Sequence, residues 1–370
     1  MDQVITTETL EERLAHFSDR VISHPILESV FADLRIVIRR PGEIPLIVVV
    51  GPTGVGKTTL VKRLHQEILA ASAATMEKDP GLVPVILIEA MSPDRGDFRW
   101  GDFYIRFLKA AKEPMIERKE LDDSDLDLRK YRKKVGSDPG LRRAMEQCIQ
   151  HRGTKVVIID EAQHLTKVLN PARLPDQMDT IKSLASLSGA QFVMVGTYDL
   201  LQLLNRNGEL ARRTRCIHFP RYRYDQPKDR QSFYNILGMF EARLPLETTG
   251  VLVRNVEYQY EHCLGCIGTF KDRLKLAARH AIEAGRTCLE MKDLEAIALS
   301  NDSLLAMLQE ILSGEQLIES GKLRGDELRS KLGLQKSQSP PAQPTDEKAA
   351  PPGRGVGERN LTRDRVGIAA

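Results

Sequence analysis

Residues 51–58 read Gly-Pro-Thr-Gly-Val-Gly-Lys-Thr, which is the spacing G-x-x-x-x-G-K-[ST]. They follow Leu46–Val50, an apolar run with the length and β-branched content of a buried strand. Glycines allow backbone N–H groups to wrap a phosphate, and the helix that follows directs its positive end at the same anion. The sequence therefore predicts a nucleoside triphosphate site formed by Gly51, Pro52, Thr53, Gly54, Val55, Gly56, Lys57, Thr58 and Thr59.

Specific roles follow for the polar residues of this loop and for two acids further along the chain. Lys57 is expected to reach the β and γ phosphates, and the Thr58 hydroxyl to hold Mg²⁺. A second apolar run, Val156–Asp160, ends in an acid and is followed directly by a second acid, Glu161. This pattern is typical of a strand in which Asp160 orients the Mg²⁺ shell and Glu161 polarises the attacking water. The simpler alternative for Glu161 is a solvated residue at a strand tip. ATP and Mg²⁺ are the expected ligands.

Two further polar positions could act on the γ phosphate. Thr197 follows the buried run Gln191–Gly196, and ligands of open α/β sheets lie at the carboxyl ends of the strands. Arg212 and Arg213 precede the last strand, and one of them could stabilise the transition state in a neighbouring subunit. The alternative is that these cations complement a helix dipole.

These residues need a parallel sheet to bring them together. Further strands are predicted at Val85–Ile88, Phe192–Val195 and Arg215–Phe219, with helical patterns between them. Strands that alternate with helices predict an α/β fold, a parallel sheet flanked by helices.

The composition of the chain changes along its length, and four regions are predicted. They are a helical lead-in at 1–44, a nucleotide-binding core at 45–225 with a charged insertion at 92–140, an all-helical domain at 226–330, and a disordered Pro/Gly-rich tail at 331–370.

The chain has 370 residues, 41% of them hydrophobic, and a formal net charge of +3, which excludes a disordered protein overall. No apolar stretch approaches the length that spans a bilayer, and a cytoplasmic protein without membrane association is expected. Five cysteines, an odd number, argue for a reducing compartment. Cys263 and Cys266 have C-x-x-C spacing, but core cysteines are favoured over a metal site because no second pair follows.

Three segments together resemble the AAA+ ATPases, and among these the TniB/TnsC family of transposition regulators, including those of CRISPR-associated transposons. The segments are 51–59, 158–164 with Asp-Glu-Ala-Gln-His, and 192–213 with Gly-Thr-Tyr-Asp-Leu. The resemblance implies an ATPase with a helical lid domain that forms a ring or helical filament on double-stranded DNA. It also implies partners, a TniQ-type targeting protein and a transposase, which the oligomer would link.

The same resemblance implies roles for individual residues. Thr197 corresponds to sensor 1, Arg212 or Arg213 to the arginine finger, and Lys271 to sensor 2. Most family members with a clear sensor 2 use arginine, so Arg273 stays open as an alternative to Lys271.

The charge-dense segment supplies candidate DNA contacts, because cations on phosphates give affinity without reading sequence. These candidates are Arg99, Lys112, Arg118, Lys119, Arg132 and Lys133. Trp100, Phe103 and Tyr104 are interleaved with such cations, and Phe103, Phe107 and Leu108 are expected in the core rather than as base-stacking platforms. The acids among them leave open a solvated, salt-bridged helix face.

Two other functions remain open on the sequence. One is a P-loop phosphotransferase in which the charged insertion is a substrate lid. The other is a P-loop ATPase scaffold of the signalling or secretion type, whose partners are proteins or membrane.

Overall fold

A five-stranded parallel sheet forms the centre of the molecule and confirms the predicted fold class. The computed structural model describes residues 10–19, 21–40, 44–93, 96–116, 139–204, 213–248, 250–323 and 325–334. The strands are β1 (Leu46–Val50), β2 (Val85–Glu89), β3 (Val156–Asp160), β4 (Gln191–Gly196) and β5 (Thr214–His218). Their order across the sheet is β2-β3-β4-β1-β5, and every neighbouring pair is parallel.

The register brings the carboxyl ends of the strands to one edge. Val50 lies opposite Gly196 of β4 and His218 of β5, and Glu89 lies opposite Asp160. The loops that follow β1, β3 and β4 therefore emerge side by side, where open α/β sheets bind ligands.

Fourteen α-helices are assigned in the described part of the chain, and most of them cover the sheet or form the region after β5. They are α1 (Leu10–Asp19), α2 (Pro25–Ile38), α3 (Lys57–Lys78), α4 (Trp100–Ala110), α5 (Pro139–His151), α6 (Leu174–Ser188), α7 (Leu201–Leu204), α8 (Pro227–Glu241), α9 (Val251–Arg254), α10 (Val256–Glu261), α11 (Ile267–Glu283), α12 (Met291–Ala296), α13 (Asn301–Leu323) and α14 (Gly325–Lys331). None of them is long and apolar enough to span a bilayer.

Both faces of the sheet are buried, as expected for parallel strands whose crossovers are helical. Val48 of β1 belongs to a hydrophobic core with α4, α5 and α6, while Ile47 belongs to a core with α2 and α3. Period-2 alternation of side chains explains why consecutive residues enter different layers. The result is a three-layer arrangement that holds the strand ends rigidly.

Helix α4 shows where the aromatic residues of the charged insertion at 92–140 lie. Trp100, Phe103 and Tyr104 are buried in the core on one face of the sheet, with Trp100 and Phe103 ring centroids 5.4 Å apart. These rings are therefore unavailable as stacking platforms for bases. The charged residues at 117–138 lie outside the described residues.

The region after β5 has its own hydrophobic core, formed mainly by α8, α9, α11 and α12. Phe17 of α1 joins it and meets Phe240 of α8 edge-on at 6.1 Å. The helical lead-in is thus divided, since α1 packs on this helical core and α2 on the sheet. The division into a sheet domain and a lid domain at residue 226 stays a prediction, because residues up to Ser320 form one compact unit.

Helix α13 contacts both the helical region and the sheet domain. Leu304 and Ile311 pack on Leu264 and Cys266, and Ile318 packs against the sheet core. Cys263 and Cys266 are buried and free, and no cluster of three or more His, Cys, Asp or Glu side chains suited to a metal occurs within the described ranges.

Candidate nucleotide site

The loop between β1 and α3 has the backbone of a phosphate cradle. Gly56, immediately before α3, has φ 113°, in the region that favours glycine, and Gly54 has φ 75°. Helix α3 begins at Lys57, so its free N–H groups open toward the loop. An anion placed in this loop would meet backbone donors and the helix dipole together.

Lys57 is held inside the loop rather than in solvent. Its Nζ donates to the carbonyl oxygens of Gly51 at 3.0 Å and Pro52 at 2.8 Å, and the residue is 6% exposed. Burial lowers the pKa of Lys57, while the charges of Glu161 and Asp160 oppose that shift. The ammonium therefore lies close to the acids that follow β3, as a lysine that bridges loop and phosphate requires.

Asp160 and Thr58 form the second part of the site. Asp160 is the last residue of β3 and is buried, and the Thr58 side chain hydrogen-bonds to its carboxylate. The Glu161 amide donates to Asp160 Oδ1 at 3.0 Å. Burial raises the pKa of Asp160, and these hydrogen bonds oppose that shift. A hydroxyl and a carboxylate in direct contact are the hard oxygen donors that Mg²⁺ prefers, so these residues fit the ion.

Glu161 begins the turn after β3 in a left-handed conformation, with φ 51°. Gln163 Nε2 donates a hydrogen bond to Glu161 Oε2. The Thr197 amide donates to Gln163 Oε1 at 3.2 Å. The Glu161 carboxylate is thus connected through Gln163 to the end of β4. No motif in the sequence indicates this connection.

Thr197 directly follows β4, and strand pairing places it beside the turn that carries Glu161. Its hydroxyl lies 3.4 Å from Asp199 Oδ2, to which it donates. Thr58, Asp160, Glu161 and Thr197 therefore meet at one edge of the sheet with the phosphate loop.

Arg213 lies at the opposite edge of the sheet. It precedes Thr214, which pairs with Leu46 at the start of β1, whereas the phosphate loop follows Val50 at the end of β1. Four strand steps separate the two edges by roughly 13 Å. Arg213 is exposed there, and Arg212 lies outside the described residues. The structure does not bring Arg213 together with the phosphate loop of its own chain.

The two candidates for the sensor 2 position lie on different sides of α11. Lys271 lines a pocket together with Gly56 and Thr59 of the phosphate loop. Arg273 is buried instead, with its guanidinium carbon 5.8 Å from the centre of the Tyr258 ring. The geometry therefore brings Lys271, rather than Arg273, to the phosphate loop.

Helix α11 also contacts the loop through its backbone. The Thr269 amide, in the first turn of α11, donates to the Gly54 carbonyl at 3.0 Å. This hydrogen bond attaches the helical region directly to the phosphate loop.

A pocket with mostly apolar walls lies beside the phosphate loop and was not identified from the sequence. Its lining comes from four parts of the chain: Val21, Ile22, His24, Leu27, Val55, Gly56, Thr59, Phe240, Ile267, Gly268 and Lys271. Apolar walls with a few polar groups are typical of sites for flat organic ligands. The turn Ser23-His24-Pro25 was the available sequence signal, but nothing in it indicates which elements it meets.

His24 fixes one wall of this pocket. The Leu27 amide donates to His24 Nδ1 at 3.3 Å, and the Tyr222 hydroxyl lies 3.0 Å from the same nitrogen. Burial lowers the pKa of His24 to about 4, against an opposing effect of Glu28. The ring is therefore neutral near pH 7 and caps α2 as an acceptor.

The candidate DNA contacts do not form a described surface. Arg99 is exposed with its Nε 3.7 Å from Asp102 Oδ2, and Lys112 is exposed at the end of α4. Arg118, Lys119, Arg132 and Lys133 lie outside the described residues. The Arg99 pair resembles the salt-bridged helix face that the sequence left open.

Comparison with known proteins agrees with the fold. Residues 43–204 match the model of a family described as an AAA domain. No curated protein matches the chain closely enough to count as a relative.

Several solved structures have a similar fold. The ORC2 protein of Aeropyrum pernix in its ADP form has a TM-score of 0.51 at 18% identity, over 76% of this chain and 71% of that chain. The ORC1 protein of the same organism in complex with DNA gives 0.50 at 15% identity, over 77% and 67%. Cdc6p from Pyrobaculum aerophilum gives 0.50 at 15% identity, over 75% and 68%.

Proposed function

We propose that this ATPase, which carries an AAA domain, is a DNA-binding oligomer that regulates DNA transposition by linking target-site selection to transposase recruitment. The observation that carries the proposal is the position of Arg213 at the sheet edge opposite the phosphate loop. A site that requires this guanidinium is completed only by a second copy of the chain, so ATP would join neighbouring subunits in a ring or filament.

The residues of one chain would perform most of the reaction. The loop amides and Lys57 bind the phosphates, Lys271 approaches from α11, and the apolar pocket beside the loop receives the base. Glu161 orients and polarises the attacking water. Thr58 and Asp160 would hold Mg²⁺, which neutralises charge on the phosphate oxygens when bound. The neighbour's arginine stabilises the charge that develops in the transition state.

Double-stranded DNA as the partner is supported by the exposed cations Arg99 and Lys112 and by the charged segment that follows them. A protein with a similar fold, the A. pernix ORC1 protein, was solved in complex with DNA. The transposition role rests on the resemblance of Asp160–His164 and Gly196–Leu200 to the TniB/TnsC family. A TniQ-type protein and a transposase are the partners proposed on that basis.

The test measures binding to labelled duplex DNA with ATP, with a non-hydrolysable ATP analogue, and without nucleotide. We expect binding to require nucleotide and to weaken at least about tenfold between 50 and 200 mM salt, because phosphate contacts release counterions. Lys57→Ala should remove the nucleotide effect, whereas Lys78→Ala, an exposed lysine at the end of α3, should leave it unchanged.

Imaging of the same mixtures by electron microscopy adds the assembly state. Nucleotide-dependent rings or filaments on DNA would support the proposal. A solitary chain with no DNA affinity would contradict it. A phosphorylated small-molecule product would instead identify a phosphotransferase, and assembly on a protein or vesicle without DNA would identify a scaffold.

A further inference from the structure

Gln163 lies between Glu161 and Thr197, which follow different strands and are proposed to act at the γ phosphate. It is the third residue after Asp160, on the short 3-10 helix Ala162–Thr166, and it is 9% exposed. One end of its amide contacts the Glu161 carboxylate, and the other end contacts the backbone of Thr197, 34 residues further along the chain. Because both ends of this buried amide are hydrogen-bonded, the Gln163 side chain is fixed in one orientation.

The hydrogen-bonding partners determine which atom of the amide faces which residue. The Thr197 backbone N–H can only donate, so the atom it meets must be the oxygen Oε1. The nitrogen Nε2 then faces the Glu161 carboxylate and donates to it. A hydrogen bond donated at this position fixes the orientation of the carboxylate.

The packing around Gly196 shows that this placement is tightly constrained. A Cβ added to Gly196 would overlap Gln163 Oε1 and would also crowd the Gln163 backbone nitrogen. The end of β4 thus comes close to the amide because its last residue has no side chain. The turn after β3 and the turn after β4 are joined through Gln163.

The charge of Glu161 acts on Lys57 of the phosphate loop. Among the charges that act on Lys57, Glu161 has the largest effect, ahead of Asp160. The carboxylate held by Gln163 is therefore close to the lysine expected to reach the γ phosphate.

We propose that Gln163 is a positioning residue for ATP hydrolysis, whose amide orients the Glu161 carboxylate and ties it to the strand end that carries Thr197. This inference rests on the proposed ATPase roles of Glu161 and Thr197. Through its two amide hydrogen bonds, Gln163 would couple the position of Glu161 to the position of Thr197. A shift of β4 would then move both residues.

Two substitutions separate the two bonds. Gln163→Met keeps the length and volume and removes both hydrogen bonds, whereas Gln163→Glu keeps an acceptor for the Thr197 amide and removes the donor to Glu161. We expect both to lower kcat for ATP about 10- to 100-fold, with KM and nucleotide affinity within twofold, because misorientation of a base affects the chemical step. Gln231→Met, an exposed glutamine on α8, is the matched control and should not change kcat.

Hydrogen–deuterium exchange of the Thr197 amide gives a readout that requires no turnover. Exchange should accelerate in Gln163→Met and stay near the parent rate in Gln163→Glu. Unchanged kcat in the folded Met variant would overturn the proposal, because packing alone would then suffice. An increased kcat would overturn it too, since Gln163 would be restraining Glu161.

The two proposals fail in different ways. If the parent protein hydrolyses no ATP, the proposed ATPase roles of Glu161 and Thr197 fail, and the exchange rate at Thr197 still decides whether the Gln163 bond exists. If the parent hydrolyses ATP, Lys57→Ala abolishes it, and both Gln163 variants match the parent in kcat and exchange, only the inference about Gln163 fails.

Discussion

Each reactive side chain of the candidate site is held in position by a neighbouring group that has a different role. Lys57 is held by carbonyls of its own loop, Asp160 by the Thr58 hydroxyl and the Glu161 amide, and Glu161 by Gln163. Such partners reduce the freedom that binding would otherwise have to remove. The reactive side chains could be named from spacing alone, whereas Gln163 could not, since its partner Thr197 is remote in sequence.

Substitution of Glu161 by glutamine tests the assignment of the general base. Glu161→Gln keeps size and polarity but cannot accept a proton from water, so kcat should fall by about 10² to 10⁴ while ATP binding stays within twofold. Retained binding without turnover should trap the nucleotide-bound assembly. Steady-state phosphate release and light scattering measure the two effects.

Glu295→Gln is the control for this experiment, because Glu295 is an exposed acid of α12 outside the site. It should behave like the parent. Turnover by Glu161→Gln at the parent rate would show that another group activates the water.

Among the helices, α13 is the one whose packing was least evident from the sequence. The predicted lid domain at 226–330 includes it, and the structure shows that it also packs on Tyr198, the residue after Thr197. Gly314 of α13 faces the ring of Tyr198, and the Tyr198 hydroxyl lies 2.9 Å from His218 Nε2 at the end of β5. Because α13 contacts Tyr198, a displacement of the strand end that carries Thr197 would change the packing of this helix.

Two helical glycines give a matched test of this contact. A Cβ on Gly314 would overlap the Tyr198 ring, whereas a Cβ on Gly238 of α8 would meet nothing within 4 Å. Gly238→Ala should stabilise the protein by about 0.5 to 1 kcal/mol through helix propensity. Gly314→Ala should destabilise it by about 1 to 3 kcal/mol because the helix must move.

Thermal midpoints of the two variants, measured side by side, check this prediction. An equal rise in both would mean that α13 does not pack on Tyr198 in solution.

The ion pair between Arg221 and Glu315 attaches α13 to the segment after β5. Arg221 Nε donates to Glu315 Oε1 at 2.9 Å, and both side chains are about nine-tenths buried. Removing one partner leaves a buried charge uncompensated, so Glu315→Ala should cost about 3 kcal/mol. Faster hydrogen exchange of α13 amides and a lower thermal midpoint would report the loss.

Glu319→Ala on the same helix is the control, since the pair of Glu319 with Arg223 is exposed and should contribute less than about 1 kcal/mol. Equal effects of the two substitutions would show that the buried pair does not anchor α13.

The whole molecule carries its phosphate loop and Arg213 on opposite edges of one sheet, so its assembly can be tested by mixing variants. Lys57→Ala and Arg213→Ala should each be inactive alone. An equal mixture should regain up to about a quarter of parent activity, because one neighbour pair in four then combines an intact loop with an intact arginine. ATP hydrolysis across mixing ratios measures this.

Mixing Lys57→Ala with Glu161→Gln provides the control. Both side chains belong to the same half of the site, so no pair of copies restores it, and activity should stay absent. Absence of recovery in the first mixture at every ratio would argue against a site shared through Arg213.

The sequence by itself determined the phosphate loop, the strands and the acids that follow them, because each depends on residues close together in the chain. The strand runs at Leu46–Val50 and Val156–Asp160 occur as predicted, and β5 begins one residue earlier than expected. Local periodicity and turn chemistry suffice for such features.

Only the tertiary structure decided the burial of Trp100 and Tyr104, the approach of Lys271 rather than Arg273, and the contact of Gly314 with Tyr198. Each depends on which helix face meets which strand end, and residues that are far apart in the chain provide the two sides. Burial removes apolar side chains from water whatever charges flank them, so the aromatic residues among the cations of α4 pack in the core.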